Sequence, residues 1–111
     1  QWIHVDEEKA KNELPTQSTI AHGFLSLSLS VPLAAQVWTV TGTKMLINYG
    51  LNKVRFINMV PVNSKVRMSV KVKEVNELDN GGTQVISEET LEIEGQDKPA
   101  YVAELIMVAY K

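Results

Sequence analysis

Ile20–Trp38, IAHGFLSLSLSVPLAAQVW, decides how this chain folds. It is the longest run with almost no charge. From Phe24 to Val31 apolar residues alternate with Ser26, Ser28 and Ser30, and a period of two taken alone describes a strand. Length argues the other way, because the apolar character continues through Leu33, Ala34, Ala35 and Val37. A run of that extent is long for a strand and ordinary for a helix. Leu and Ala are strong helix formers, and Gly23 with apolar residues on every side predicts a helix buried all round. Serines in such a helix bond the carbonyl one turn back and leave room beside the backbone. Pro32 lies well inside, so a kink or break is predicted there.

On the N-terminal side, Gln1–Val5 is short and apolar with one histidine. Asp6 makes an N-cap, and Glu7 and Glu8 occupy the first turn, where negative charge is favoured. A short helix is predicted over Glu7–Glu13, ending before Pro15 because the residue preceding proline avoids helical angles. Leu14–Thr19 is a polar loop.

On the C-terminal side the character changes to strands. Thr39–Thr43 turns around Gly42. Lys44–Ile57 reads as a long strand with a bulge or bend at Gly50, and Pro61–Ser64 reads as a turn. In the next strand Val66, Met68, Val70 and Val72 face one way and Arg67, Ser69, Lys71 and Lys73 the other, as in a sheet with one wet face. Asp79-Asn80-Gly81-Gly82 is a strong hairpin signal. Thr83–Glu94 and Tyr101–Tyr110 complete the set, joined by a turn around Gly95–Pro99. Leu105–Val108 is apolar on both faces, which suits an interior strand. The class is α+β: a short helix, a long central helix, and an antiparallel meander that curls around it.

The chain has 111 residues, enough for one domain. A net charge of −2 gives no footprint for nucleic acid or an anionic membrane. The absence of cysteine excludes a disulfide framework, a thiol nucleophile and a thiolate metal site, and is compatible with the cytoplasm. No apolar run reaches the length of a membrane span. The chain begins at Gln1 and not Met, directly in structured sequence, so it reads as a piece of something longer.

There is no phosphate-cradling glycine loop, nucleophile elbow or dinucleotide fingerprint. Two histidines without cysteine make a poor metal set, and Asp6, the one carboxylate beside His4, is better used as a helix cap. The remaining candidates are His4 and the Ala21-His22-Gly23 start of the long helix. Histidine exchanges a proton near neutral pH. Free N–H groups at a helix start suit a developing oxyanion, and Gly23 allows close approach. These residues have structural readings as well: a histidine at a domain edge, a packing glycine, and His22 capping its own helix. Spacing alone does not make them an enzyme.

QWIHVD at Gln1–Asp6, STIAHGFLSLSL at Ser18–Leu29, INYGLNKVRF at Ile47–Phe56 and PVNSKVR at Pro61–Arg67 together carry a resemblance over nearly the whole chain. They resemble the MaoC-like dehydratases, the (R)-specific enoyl-CoA hydratases of the hot-dog fold. Within these the likeness is to the branch holding nodulation protein N and bacterial 3-hydroxyacyl-thioester dehydratases. The resemblance implies a single hot-dog domain over residues 1–111. It also implies (R)-specific hydration of trans-2-enoyl thioesters, or the reverse dehydration, with no cofactor beyond the CoA of the substrate. An Asp and a His five residues apart would hold the water. The His matches His4, and the Asp falls two residues before Gln1, upstream of this sequence. The thioester carbonyl maps onto the Gly23 N–H. Ser26 and Ser28 become residues of the acyl pocket or supports of the catalytic pair, with His22 beside them, and Lys53 and Arg55 become CoA contacts. Val62-Asn63-Ser64-Lys65 lacks the glycine often seen at that turn. The implied partners are acyl-CoA or an acyl-carrier-protein thioester and a second copy of the chain. Exposed apolar residues on both faces of Leu105–Val108 would be consistent with a homodimer. Two other readings keep the fold: a thioesterase, disfavoured because Ile20–Trp38 holds no carboxylate, and an acyl-thioester-binding domain without catalysis.

Overall fold

A computed structural model describes residues 1–111. A 3₁₀ turn at Trp2–His4 precedes α1 (Glu7–Glu13), α2 (Gly23–Ser28) and α3 (Ser30–Val37). Four strands follow: β1 (Met45–Phe56), β2 (Val66–Glu77), β3 (Thr83–Ile93) and β4 (Tyr101–Tyr110). α1 begins as its sequence predicts, with the Asp6 side chain accepting from Lys9 N at 2.9 Å. Such a cap contributes about 1 kcal/mol. The helix ends at Leu14, which is extended ahead of Pro15.

All strand pairings are antiparallel, in the order β1-β4-β3-β2. β4 is therefore interior, as its two apolar faces predict. β1 slips register between Asn48 and Gly50 and again between Leu51 and Lys53, so the predicted irregularity at Gly50 is one of two. The Asp79–Gly82 hairpin joins β2 to β3, with Gly81 at φ 84° and Leu78 N donating to Gly82 O at 2.8 Å. Gly95, at φ 77°, turns β3 into β4. At the glycine-less turn Asn63 takes φ 64° itself, a conformation Asn tolerates better than most residues.

The central rod differs from its prediction in three respects. It is two short helices, and Ile20–Ala21 is extended backbone bridged to the β1–β2 connection, not helix. The break falls at Leu29, not at Pro32. Pro32 still accounts for it. Proline offers no N–H to the Ser28 carbonyl four residues back, and its ring crowds that oxygen. The fault therefore appears a turn upstream, where Leu29 N is shared between Leu25 O and Ser26 O. Finally, the rod is not buried all round. Ser26, Ser30 and Ala34, four apart, face the sheet and are buried, while Phe24 is 81% exposed and Leu25, Val31 and Val37 are more than half exposed.

The core lies between this small-residue stripe and the inner face of the sheet. Met68, Leu91, Ile93, Tyr101, Ala103 and Leu105 form it, with Leu27 and Leu33 packed down from the helices. Leu105 and Val108 are buried within the chain, so the expectation of exposed apolar residues on both faces there is not met. The exposed apolar surface lies instead on the outer side of α2 and α3 and along β1, where Tyr49 is 71% exposed.

Candidate active site

Three segments far apart in sequence are tied together at one end of the rod. Ile20 N donates to Ile3 O at 3.0 Å, Ala21 N to Val60 O at 2.9 Å and Val62 N to Thr19 O at 2.9 Å. The 3₁₀ turn is held from its other side by Lys9, whose Nζ sits 4.6 Å above the Trp2 ring. These ties place His4 against the start of α2.

The His4 ring is fixed twice. Nδ1 lies 2.8 Å from the Ile20 carbonyl oxygen. A carbonyl only accepts, so Nδ1 carries the proton and Nε2 is left with a lone pair in the neutral ring. His22 stacks on the ring at 3.7 Å between centroids with 23° between planes. His22 is the N-cap of α2 by position, yet its side chain makes no cap bond.

The first i→i−4 bond of α2 runs from Ser26 N to His22 O at 3.1 Å. The N–H groups of Gly23, Phe24 and Leu25 precede it and have no partner within the helix. Gly23 is tightly packed as well: a Cβ there would stand 3.1 Å from the Phe56 ring. His4, Ala21, Gly23, Ser26, Phe56 and Val60 line one hollow. Sequence reasoning joined His4, Gly23 and Ser26, and the fold brings all three to this hollow. Ser28 is not among its walls; it is exposed, donates to Leu25 O at 2.7 Å, and lines a separate depression with Phe24 and Leu51. Asp6 is engaged as the α1 cap.

The family description "MaoC like domain" matches residues 1–93. The chain belongs to the MaoC-like dehydratase family. This MaoC-like domain is 51% identical over 107 residues to 3-hydroxyacyl-thioester dehydratase Z of Mycobacterium tuberculosis, covering 96% of this chain and 70% of that protein. It is 38% identical over 111 residues to nodulation protein N of Rhizobium leguminosarum bv. viciae, covering 97% and 68%. Among solved structures, the MaoC-like dehydratase from Rhodospirillum rubrum superposes with a TM-score of 0.75 at 14% identity, over 100% of this chain and 75% of that one. That likeness carries the hot-dog fold. Family membership makes the MaoC-like domain an enzyme of the dehydratase class.

Lys53 and Arg55 lie elsewhere on the MaoC-like domain. With Lys73, Glu88 and Glu104 they line a groove that meets the His4 hollow at Ile57, which is common to both. Three cations face two carboxylates there. Glu104 accepts from Asn52 Nδ2 at 2.8 Å and lies 3.6 Å from Lys73 Nζ. The Asn52 hydrogen bond holds its carboxyl below the usual range; Lys73 and Lys53 add to this and partial desolvation opposes it.

The sequence reading of this MaoC-like domain passed over one group. Glu89, fully buried on β3, faces the helices in register with Val70 on β2 and Ala103 on β4. Neither carboxylate oxygen has a protein partner, and neither does the Ser87 or Tyr101 hydroxyl nearby. Burial pushes the Glu89 carboxyl up to about 7. It pushes the Tyr101 hydroxyl up too, helped by Glu89 and opposed by Ser30. The signal was available: along β3, Val85, Ser87, Glu89, Leu91 and Ile93 share the inward phase, and Glu89 is its one ionisable member.

Proposed function

We propose that this chain hydrates trans-2-enoyl thioesters to (R)-3-hydroxyacyl thioesters, and catalyses the reverse dehydration, at the hollow between His4 and Gly23. One observation carries the reading. A histidine whose Nδ1 is committed to a backbone carbonyl lines the same hollow as Gly23, whose N–H opens α2 without a partner in the helix.

In the hydration direction His4 Nε2 takes a proton from water as the oxygen bonds to C3. The C2=C3 electron pair moves toward the carbonyl, and a proton is delivered to C2. Negative charge grows on the thioester oxygen, where the Gly23 N–H receives it. A preorganised donor of this kind is worth on the order of 3 kcal/mol, and a positioned acid/base adds about 10²–10⁴-fold. The resemblance gives His4 a partner in holding the water, an Asp expected two residues before Gln1, and the proposal keeps that partner. Ser26 borders the reacting atoms, and His22 keeps the His4 ring in plane.

The reading assigns the CoA phosphates to Lys53 and Arg55, two cations of the groove that shares Ile57 with the hollow. Support for a thioester substrate comes from the relative named 3-hydroxyacyl-thioester dehydratase Z. A homodimer is part of the proposal, since the bare outer side of α2 and α3 needs a cover. Mixing the natural-length protein with a short trans-2-enoyl-CoA should bleach the conjugated thioester absorbance and yield the (R)-3-hydroxyacyl product on chiral chromatography. No bleaching at any chain length would overturn the proposal, and release of free thiol would revive the thioesterase reading.

A further inference from the structure

A second hollow lies further along the rod, between α3 and the sheet, a partly open cavity of about 150 Å³. Its walls are apolar, among them Val31, Ala34, Trp38, Leu46 and Met107. Four polar side chains break that lining, Thr39 and Asn48 toward the surface and, most deeply buried, Ser30 and Glu89. The last two are more than nine-tenths buried, and both Glu89 oxygens are without a protein partner. An apolar cavity built only to take hydrocarbon has no use for a carboxyl in its floor, because an unpartnered buried carboxyl costs several times what a methyl-lined floor would. The same site gains from a ligand that brings a donor to it.

We infer that this hollow is a recognition site for a hydroxyl group carried on an otherwise apolar ligand arm, with Glu89 and Ser30 as the groups that read it. The inference rests on the proposed thioester chemistry for the origin of the arm. Ser30 stands seven positions after Gly23 along the two helices, or about 10 Å at the helical rise, which matches an acyl arm of about eight carbons. The depression bounded by Phe24, Ser28 and Leu51 lies on the way and shares Ser30, Val31, Asn48 and Leu105 with the second hollow. A hydroxyl both donates and accepts, so it pairs with the carboxyl whether that group is ionised or protonated. Sites that hydrogen-bond a substrate hydroxyl reject the analogue lacking it far more strongly than apolar pockets reject an added methylene.

The test compares octanoyl-CoA with 8-hydroxyoctanoyl-CoA, both saturated and unreactive, by calorimetric titration of the natural-length protein. The hydroxylated probe is expected to bind at least about tenfold more tightly. Glu89→Gln, which keeps a hydrogen-bonding side chain, should retain most of that ratio, and Glu89→Leu should reverse it. Equal affinities for the two probes in the wild type, or no binding of either, would overturn the inference even if neither variant folds. Because the probes do not react, the outcome is independent of turnover. Bleaching of enoyl-CoA without a hydroxyl preference would leave the hydration proposal standing and remove this one. A hydroxyl preference without bleaching would do the opposite.

Discussion

At Gly23 a missing side chain serves two needs. It leaves the first N–H of α2 open to the hollow, and it lets the Phe56 ring close to a distance that a Cβ would bring to 3.1 Å. Gly23→Ala should therefore cost about 1–3 kcal/mol through overpacking. Urea unfolding of variant and wild type would measure it, and the same variant should hydrate more slowly because the ring and the backbone must move apart. The residue scale is also where the sequence was most informative about the site. His4, Gly23 and Ser26 were legible because the AHG start and the upstream histidine matched a family pattern. What that pattern did not supply was the stacked His22 ring or the Ile20 carbonyl that sets the His4 tautomer. Both depend on backbone bonds between segments distant in sequence, Ile20 N to Ile3 O and Ala21 N to Val60 O.

Among the elements, β3 holds the clearest prediction. Glu89 keeps its proton up to about 7 in the native chain, while an unfolded chain loses it near 4.5. Between those values the native state binds more protons than the unfolded one, so stability falls as pH rises. Integrated over the window, the loss is about 3 kcal/mol, and it levels off above the native value. Urea midpoints measured at a pH near 5 and again above 7 should show the fall, and Glu89→Gln should remove most of it. The strands themselves were readable from alternation and from the Asp79–Gly82 and Pro61–Ser64 turns, since a half-buried sheet writes its period into the sequence. The helices were readable in kind but not in detail. A serine alternation obscured the fact that Ser26, Ser30 and Ala34, and not Ser28, form the buried stripe. The break at Leu29 is a displaced effect of Pro32, visible only once the carbonyl that Pro32 crowds has been identified.

Taken whole, the chain is extended. Its radius of gyration is 16.5 Å and its extents are 55 × 25 × 21 Å, whereas a compact chain of this length would give about 13 Å. Its accessible surface of 7534 Å² exceeds the roughly 6,100 Å² expected for a folded monomer of its mass. The excess is of the size that a stable dimer removes from each partner. The expectation of an all-round buried rod failed for the same reason, since the apolar outer side of α2 and α3 has no cover within one chain. Sedimentation equilibrium should therefore show a dimer at micromolar concentration. Replacing both Phe24 and Val31 with Asp should yield monomers; a wild type that runs as a monomer would mean the bare face has another purpose.

The account stands or falls on His4 as the group that moves the water proton. The most direct measurement is kcat/KM for trans-2-enoyl-CoA hydration by natural-length wild type and His4→Ala near neutral pH, with circular dichroism confirming that both are folded. The account predicts a fall of at least about 10²-fold in the variant. A folded His4→Ala protein within about threefold of wild type would contradict it.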